Sequence, residues 1–430
     1  MNFLKMDEIK NNYLINFLLF LIPISFIAGN LIINLNIVLI IIASIYFYGK
    51  NLFQPKLIFF DKLLISIFIF SIFTSLINTI FFQNIENNNF STQTLEKAFL
   101  FSRFLLFYFV LRYLIEKKIF NFKFFFISSA ICSIFVSVDL FFQYFNGEDI
   151  FGLSAKSYKL SGPFGDEEIA GSYLQRFSIF SFFLFLIYFP ELNKNKKYFI
   201  FLILIFLFFF SIFLTGNRMP AVLFTLYWIL LFILEKKLRK FLIFFLSALL
   251  IFFYLTINFN THINNIILNF YNVTMQSIEF LPVLISNENV SEFPNTYIKE
   301  LYSGILAWQE NYFIGGGINS FHYNCIKSIK ACASHPHNYY LEVLSEKGLI
   351  GMMLWGVVFL YIIYVSIIKK YFLKSSINQN NLITPFAILF LVEVFPFKTT
   401  GSFFTTGNAT YIFLIISVII ALSRNPNIIK

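Results

Sequence analysis

The sequence predicts an all-α integral membrane protein with about 12 transmembrane helices, because long apolar runs recur along the whole chain. Of its 430 residues, 58% are hydrophobic and only 13% are charged. Soluble proteins carry about 25% charged residues, and a soluble fold of this length cannot bury so much apolar surface. We therefore expect the apolar side chains to face lipid.

Each predicted helix is an apolar run close to the length that crosses a bilayer, roughly 17 to 25 residues. The runs lie at residues 13–29, 31–48, 62–82, 97–115, 122–145, 169–189, 198–215, 219–234, 240–257, 349–368, 382–398 and 407–422. The first run merges into the second, so we interpret it as a span and not as a cleavable signal peptide. Residues 1–430 are accordingly treated as one polytopic membrane domain.

The basic residues predict the orientation of these helices. Most of the 32 Lys and Arg residues fall in alternate connections, which the positive-inside rule assigns to the cytoplasm. We therefore expect both termini in the cytoplasm. Since these charges mark topology, the net charge of +10 does not indicate nucleic-acid binding.

One polar segment, residues 258–348, lies outside the cytoplasm by this topology. It is far longer than a simple connection between helices, and loops of such length usually carry function. We therefore expect the chemistry of the protein on the extracytoplasmic side of the membrane.

Ionisable side chains within spans are costly and are functional candidates. Arg103 and Arg176 each lie roughly 10 Å below the outer surface, at about 1.5 Å per residue, and Arg218 lies in an outer turn. Asp139 and Glu393 also fall in the outer halves of their spans. Each arginine either pairs locally with a carboxylate or carbonyl, or belongs to a shared anion site. The similar depths favour a shared site for phosphate, which Arg binds through two parallel hydrogen bonds.

Arg112, near the inner end of its span, is interpreted as a snorkelling residue that marks topology. A phosphate bound at the outer leaflet suggests a lipid-linked substrate, so the outer arginines are the ones that point to function.

A short helix is predicted over residues 339–347, with Asn338 as its N-cap and Gly348 at its C-terminal end. His337 then lies directly before a helix N-terminus, which disfavours imidazolium and attracts anions. A neutral histidine beside a bound phosphate is suited to act as a general base. Upstream, three glycines at 315–317 are expected to allow close approach of the backbone to a ligand.

The same loop permits a metal site or a disulfide. Cys325, Cys332, His335 and His337 supply four donors that zinc accepts. Outside the cytoplasm, however, two cysteines close in sequence more often form a disulfide. A disulfide is favoured over free thiols and over zinc, and all three interpretations stay open.

Four stretches in family order resemble the O-antigen ligase and O-antigen polymerase superfamily. They are residues 161–174, 215–218, 308–317 and 335–351. The last resembles the family's histidine motif, and the second its arginine turn, with Asn217 in place of the usual serine. Residues 166–168, which are acidic, flank the predicted site but are equally compatible with a solvated loop.

The resemblance implies an inverting membrane glycosyltransferase of the GT-C class, without a metal, a cofactor or a nucleotide sugar. Such enzymes act on the periplasmic side of the bacterial inner membrane and take a glycan from undecaprenyl pyrophosphate. The acceptor is lipid A–core in the ligases and another glycan in the polymerases. By motif, His337 corresponds to the base that activates the acceptor hydroxyl, and Arg218 to the residue that holds the pyrophosphate.

Four further residues are added as substrate-binding candidates because of their depth or their place in the histidine motif. They are Arg103, Arg176, His335 and Asn338. A ligase is favoured over a polymerase. Two other classes are weighed: a transporter or flippase of a lipid-linked anion, which has no need of an external base, and a structural membrane scaffold, which leaves the arginines unexplained.

Overall fold

The structure, a computed structural model, is helical in nearly all of the residues that it describes, and these contain no strand. Described are residues 2–81, 88–154, 159–243, 245–247, 293–328, 332–373, 381–399 and 401–424, with a few residues between 254 and 282. The predicted all-α membrane class is confirmed. Much of the first half of the 258–348 loop lies outside the described residues.

Fifteen helices are labelled in chain order in the described part. They are α1 (Asn2–Ala28), α2 (Asn30–Tyr48), α3 (Phe59–Phe81), α4 (Asn88–Phe101), α5 (Arg103–Glu116), α6 (Phe122–Asn146), α7 (Ala170–Phe177), α8 (Ile179–Tyr188), α9 (Lys194–Leu214), α10 (Arg218–Leu234), α11 (Thr296–Gln309), α12 (Phe321–Ser328), α13 (Tyr339–Ile363), α14 (Ile383–Glu393) and α15 (Thr406–Arg424).

Nine spans in the described ranges are long and apolar enough to cross a membrane. They are formed by α1, α2, α3, α4 with α5, α6, α7 with α8, α9, α13 with its π-helical extension Tyr364–Phe372, and α15. Each coincides with one of the predicted apolar runs. The multi-pass architecture therefore follows from hydropathy, because each run must satisfy its backbone hydrogen bonds within itself.

The other three predicted runs are less regular. α10 is followed by a sharp bend into Lys236–Ser247, and this pair counts as at most one further span. Most of the rest of the run 240–257 lies outside the described residues. The run 382–398 is helical only over α14, because Pro396 has no N–H to continue a helix. The count of 12 spans therefore stays a prediction.

α15 lies in the core of the helical bundle. Its residues from Asn408 to Leu422 are buried, and it packs against α5, α14 and α2. The Phe413 ring contacts the rings of Phe68 and Phe104 from two neighbouring helices. A helix that is apolar on all sides is stable only when other helices or lipid surround it.

Ion pairs join α3, α5 and α15 at the ends of these helices that the predicted topology places on the inner, cytoplasmic side. Arg112 forms an ion pair with Asp61, and its Nε lies 3.4 Å from Oε1 of Glu116, which is 2.8 Å from Arg424 Nη1. Arg112 is only 2% exposed, so its interpretation as a snorkelling residue is wrong. A carboxylate on another helix at the same depth allows the guanidinium to stay buried. These four residues are called the inner ion cluster.

Candidate functional site

The segment around His337 has the local structure that the sequence predicts. Asn338 caps α13, since its Oδ1 accepts hydrogen bonds from the N–H groups of Tyr340 (3.0 Å) and Leu341 (3.2 Å). The helix breaks at Gly348, whose φ is +62°. The predicted helix over 339–347 is therefore confirmed, and α13 resumes beyond the break as a membrane span.

His337 is held in an uncommon backbone conformation directly before this cap. Its φ is +50°, in the left-handed region, which costs a non-glycine residue about 1–2 kcal/mol. Its side chain is 37% exposed, and its ring centroid lies 4.1 Å from that of His335. Strained residues of this kind cluster at functional sites. The left-handed conformation of His337 leaves its imidazole partly exposed, and Asn338 then begins the helix.

Glu300 on α11 is a neighbour of His337 that sequence reasoning missed. Its Oε1 lies 3.6 Å from Nε2 of His337. Burial raises the pKa of the Glu300 carboxyl, and His337 opposes that shift. The two residues are distant in sequence and only the packing of α11 on α13 brings them together. The sequence signal for Glu300 is its position one helical turn before Gly304 on an amphipathic helix.

Gly304 explains how closely α11 approaches the histidine loop. A Cβ at this position would lie 3.0 Å from Cβ of Leu341 and 3.1 Å from Cβ of Pro336. Glu300 is four residues earlier and therefore on the same face of α11. The first turn of the helix is fixed by Asn295, whose side chain accepts a hydrogen bond from Ile298 N–H at 3.1 Å.

The glycines at 315–317 make a close backbone approach, but their partner is the protein itself. The N–H groups of Gly316 and Gly317 donate to the carbonyls of Ser345 (3.1 Å) and Glu346 (2.9 Å). These are among the last carbonyls before the break in α13, which lack partners within the helix. The expected approach to a ligand is thus corrected: the glycines satisfy a helix end.

Arg176 of α7 lies in a buried network with Glu393 at its centre. Its Nε and Nη2 lie 3.2 and 2.6 Å from the two oxygens of Glu393, and Nη2 also donates to Oδ1 of Asn408 at 2.7 Å. Lys398 lies 2.6 Å from Glu393 Oε1, to which Tyr339 donates at 2.9 Å. Arg176, Glu393 and Lys398 are called the outer ion cluster.

The outer ion cluster holds the segment after α14 against the start of α13. Besides the hydrogen bond from Tyr339, Asn338 Nδ2 donates to the carbonyl of Pro396 at 2.8 Å. Tyr340 donates to the carbonyl of Val394. The guanidinium of Arg176 and both amide atoms of Asn338 are therefore engaged within the fold.

Arg218 is the first residue of α10 and is half-buried. Within the described residues, no carboxylate forms an ion pair with it. The turn before it is fixed by Asn217, whose Nδ2 donates to the carbonyl of Glu168 at 2.6 Å. A Cβ at Gly171 would lie 2.7 Å from Oγ1 of Thr215, so α7 packs directly on this turn. The segment 161–174 and the arginine turn are therefore neighbours.

Arg103 reaches the same end of α15 as Arg176. Its Nη2 donates to Oγ1 of Thr406 at 3.2 Å, two residues before Asn408, and its Nη1 donates to the carbonyl of Leu100 at 2.7 Å. Arg103 and Arg176 therefore both contact the N-terminal end of α15, which agrees with the similar depth that the sequence predicts for them. Neither arginine contacts Arg218 in the described contacts.

α7 connects the histidine loop with the arginine turn. Gly171 contacts the turn at Thr215, and Arg176, five residues later, binds the carboxylate that also accepts from Tyr339. Five residues of helix span roughly 7.5 Å. Since Tyr339 is two residues after His337, this short helix places the two motifs on neighbouring parts of one scaffold.

The remaining candidates have structural surroundings. Asp139 is fully buried and its Oδ1 accepts from Ile150 N–H at 2.7 Å, which fixes the loop after α6. In the acidic stretch 166–168, Glu168 pairs with Lys159 at 2.6 Å on the exposed surface. Cys325 and Cys332 form a disulfide. The disulfide interpretation is therefore confirmed, and the zinc interpretation, which needs both thiolates, is wrong.

The comparisons with known proteins agree with the motifs. Residues 200–356 match the model of a family described as O-antigen ligase. The matched range contains the arginine turn, the glycines at 315–317 and the histidine loop. It confirms the family resemblance for these residues and supports a membrane glycosyltransferase of the ligase or polymerase type. No curated protein matches the chain.

Proposed function

Because residues 200–356 match the O-antigen ligase family, we propose that the chain moves a glycan from undecaprenyl pyrophosphate to a hydroxyl group of lipid A–core. The reaction takes place on the periplasmic side of the bacterial inner membrane, with both termini in the cytoplasm and the 258–348 loop in the periplasm. The observation that carries the proposal is the packing of α7 against both the arginine turn and the network that begins at Tyr339.

His337 is the general base in this proposal. It takes the proton of the acceptor hydroxyl while the oxygen forms a bond to the anomeric carbon of the donor glycan. The bond from that carbon to the pyrophosphate breaks, and its electron pair leaves with the undecaprenyl pyrophosphate. Attack from the opposite face inverts the anomeric centre. Since pyrophosphate is already a good leaving group, positioning and charge stabilisation supply most of the rate.

The arginines have different roles in binding the anion. Arg218 has no carboxylate partner among the described residues and its guanidinium is accessible, so we assign it to the pyrophosphate. Arg103, which binds a hydroxyl and a carbonyl, supplies further positive charge near the outer end of α15. Arg176 and Asn338 act on the substrate indirectly, by fixing the segment that carries His337. The ring of His335 packs against that of His337, so His335 also helps to position the base.

The test of this proposal is transfer in vitro from purified lipid-linked donor to purified acceptor. We expect His337→Ala to abolish transfer while the protein inserts and unfolds at the wild-type temperature. His322→Ala is a matched control, because His322 lies in the same loop, where its ring contacts Tyr323 and its Nδ1 lies 3.1 Å from the carbonyl oxygen of Ala333. Full transfer by the His337 variant would remove the base assignment.

A polymerase is the second candidate, since the family match covers both reaction types. Lipopolysaccharide from a deletion strain separates them. Core without any O-chain, with polymer left on the lipid carrier, indicates a ligase, whereas core bearing a single repeat indicates a polymerase. Active transport of the lipid-linked donor without transfer would instead support a flippase. In the transfer assay we expect EDTA to have no effect, and a loss that zinc restores would contradict the metal-free mechanism.

A further inference from the structure

We propose that Glu300 is the positioning carboxylate of His337: it orients the imidazole and stabilises the imidazolium that forms when the acceptor proton is taken. This inference rests on the proposed function and adds a residue to its site. Nε2–H of His337 points to Glu300, which leaves Nδ1 as the atom that receives the acceptor proton. After transfer the ring carries both protons, and its positive charge faces the carboxylate.

The geometry supports this pairing. Glu300 Oε1 lies 3.6 Å from His337 Nε2, so a small rotation of either side chain makes a direct hydrogen bond. Hydrogen bonds of catalytic groups are often long before the substrate binds. The His335 ring packs against the His337 imidazole, with 4.1 Å between the centroids and a tilt of 41°, and limits the rotation of that ring.

The position of Glu300 is also rigid. α11 is capped by Asn295 at one end and packs on Pro336 and Leu341 through Gly304, where no side chain separates the two segments. The side chain of Glu300 is 23% exposed. A carboxylate on a fixed helix, beside a histidine in a strained turn, controls the direction of the ring better than one on a loop.

Two of the other charged groups around His337 are engaged elsewhere. The elements packed around the loop contribute Lys299, His335, Glu342 and Lys398. Glu342 accepts a hydrogen bond from Phe403 N–H, and Lys398 is paired with Glu393. Burial raises the pKa of the Glu300 carboxyl, and His337 and the neighbouring Lys299 on α11 both oppose that shift. Glu300 is therefore the carboxylate that is available to the imidazole.

The separate values of kcat and KM test the inference. A carboxylate that orients the base and stabilises the imidazolium formed in the transition state acts on kcat and not on substrate binding. Glu300→Gln is therefore expected to lower kcat about 10- to 100-fold, as for other carboxylates that orient a histidine, and to leave KM for donor and acceptor unchanged. Glu300→Asp should lie between the two. Glu310→Gln, an exposed glutamate just beyond α11, should match the wild type in both respects.

Two outcomes overturn the inference. A wild-type kcat for Glu300→Gln shows that the carboxylate does not act on His337, and equal losses of kcat in Glu300→Gln and Glu300→Asp show a merely structural role. Thermal unfolding of each variant in detergent identifies a folding defect. If His337→Ala is inactive and Glu300→Gln is normal, only the role of Glu300 fails. If His337→Ala is fully active, the proposed base itself fails.

Discussion

The inner and outer ion clusters lie at opposite ends of the same helical core, and they differ in their balance of charge. In the described residues, the inner ion cluster has two carboxylates for two arginines. The outer ion cluster has a single carboxylate for an arginine and a lysine. Arg218 and Arg103 add further positive charge on the outer side, and neither forms an ion pair in the described residues.

The difference in charge balance distinguishes charges that stabilise the fold from charges that we propose to bind substrate. Burying an ion is costly unless a partner compensates it, so a balanced cluster needs nothing beyond the protein. A surplus of buried or half-buried positive charge is unfavourable in the empty protein and becomes favourable when an anion binds. The surplus of positive charge in the outer ion cluster, with Arg218 and Arg103, therefore supports the proposed pyrophosphate-bearing substrate, whereas the balanced inner ion cluster needs no ligand.

The largest effect on stability is expected for Glu393→Gln. It leaves Arg176 and Lys398 buried without a carboxylate, which costs about 3–5 kcal/mol. Thermal unfolding in detergent measures this loss. The double variant Arg176→Gln/Glu393→Gln is the control, because it removes one of the stranded charges and should be less destabilised than the single one. A single variant as stable as the wild type would contradict the central role of Glu393.

Arg218→Ala is expected to reduce transfer about 100- to 1000-fold, as for the loss of one donor to a developing anion. Its unfolding temperature should stay close to that of the wild type, because the described contacts include no ion pair of Arg218. Arg239→Ala is the matched control: Arg239 lies beyond the other end of α10 and binds the carbonyls of Phe232 and Ile233. Equal effects of both substitutions would argue against a pyrophosphate site at Arg218.

Asp61→Asn in the inner ion cluster is expected to cost about 1–3 kcal/mol, less than the change at Glu393. Arg112 keeps Glu116 as a partner, so no buried charge is left alone. Transfer per folded molecule should be unchanged. A loss of activity in protein that is fully folded would show that the inner cluster also takes part in function, and the distinction between the clusters would fail.

The smallest effect is expected for Arg103→Ala. Its guanidinium already binds Thr406 and the carbonyl of Leu100, so its loss should raise KM for the donor about tenfold, the value of one hydrogen bond to a charged group. Steady-state kinetics at several donor concentrations measure this change. Arg103→Lys should recover part of it. An unchanged KM in both variants would assign Arg103 to packing alone.

Local features were predictable because they depend on neighbouring residues. Asn338 begins a helix and Gly348 ends it whatever the surroundings. Asn338 accepts hydrogen bonds from the unpaired N–H groups at the helix start, and Gly348 readily adopts a left-handed conformation. The approach to a ligand that the glycines at 315–317 predict is wrong, because a glycine shows only that space is needed and not which group fills it. Their partner, the end of the short helix before Gly348, depended on the packing of the loop.

The sequence by itself determined the membrane class, nine of the spans and the place of His337 before a helix, because hydropathy and capping act over one helix or less. The tertiary structure alone decided how the charges pair. Arg112 is buried because Asp61 comes to the same depth from another helix, and Glu300 meets His337 because Gly304 lets α11 approach. Such pairings join residues far apart in the chain, so they depend on the packing of helices and not on any local pattern.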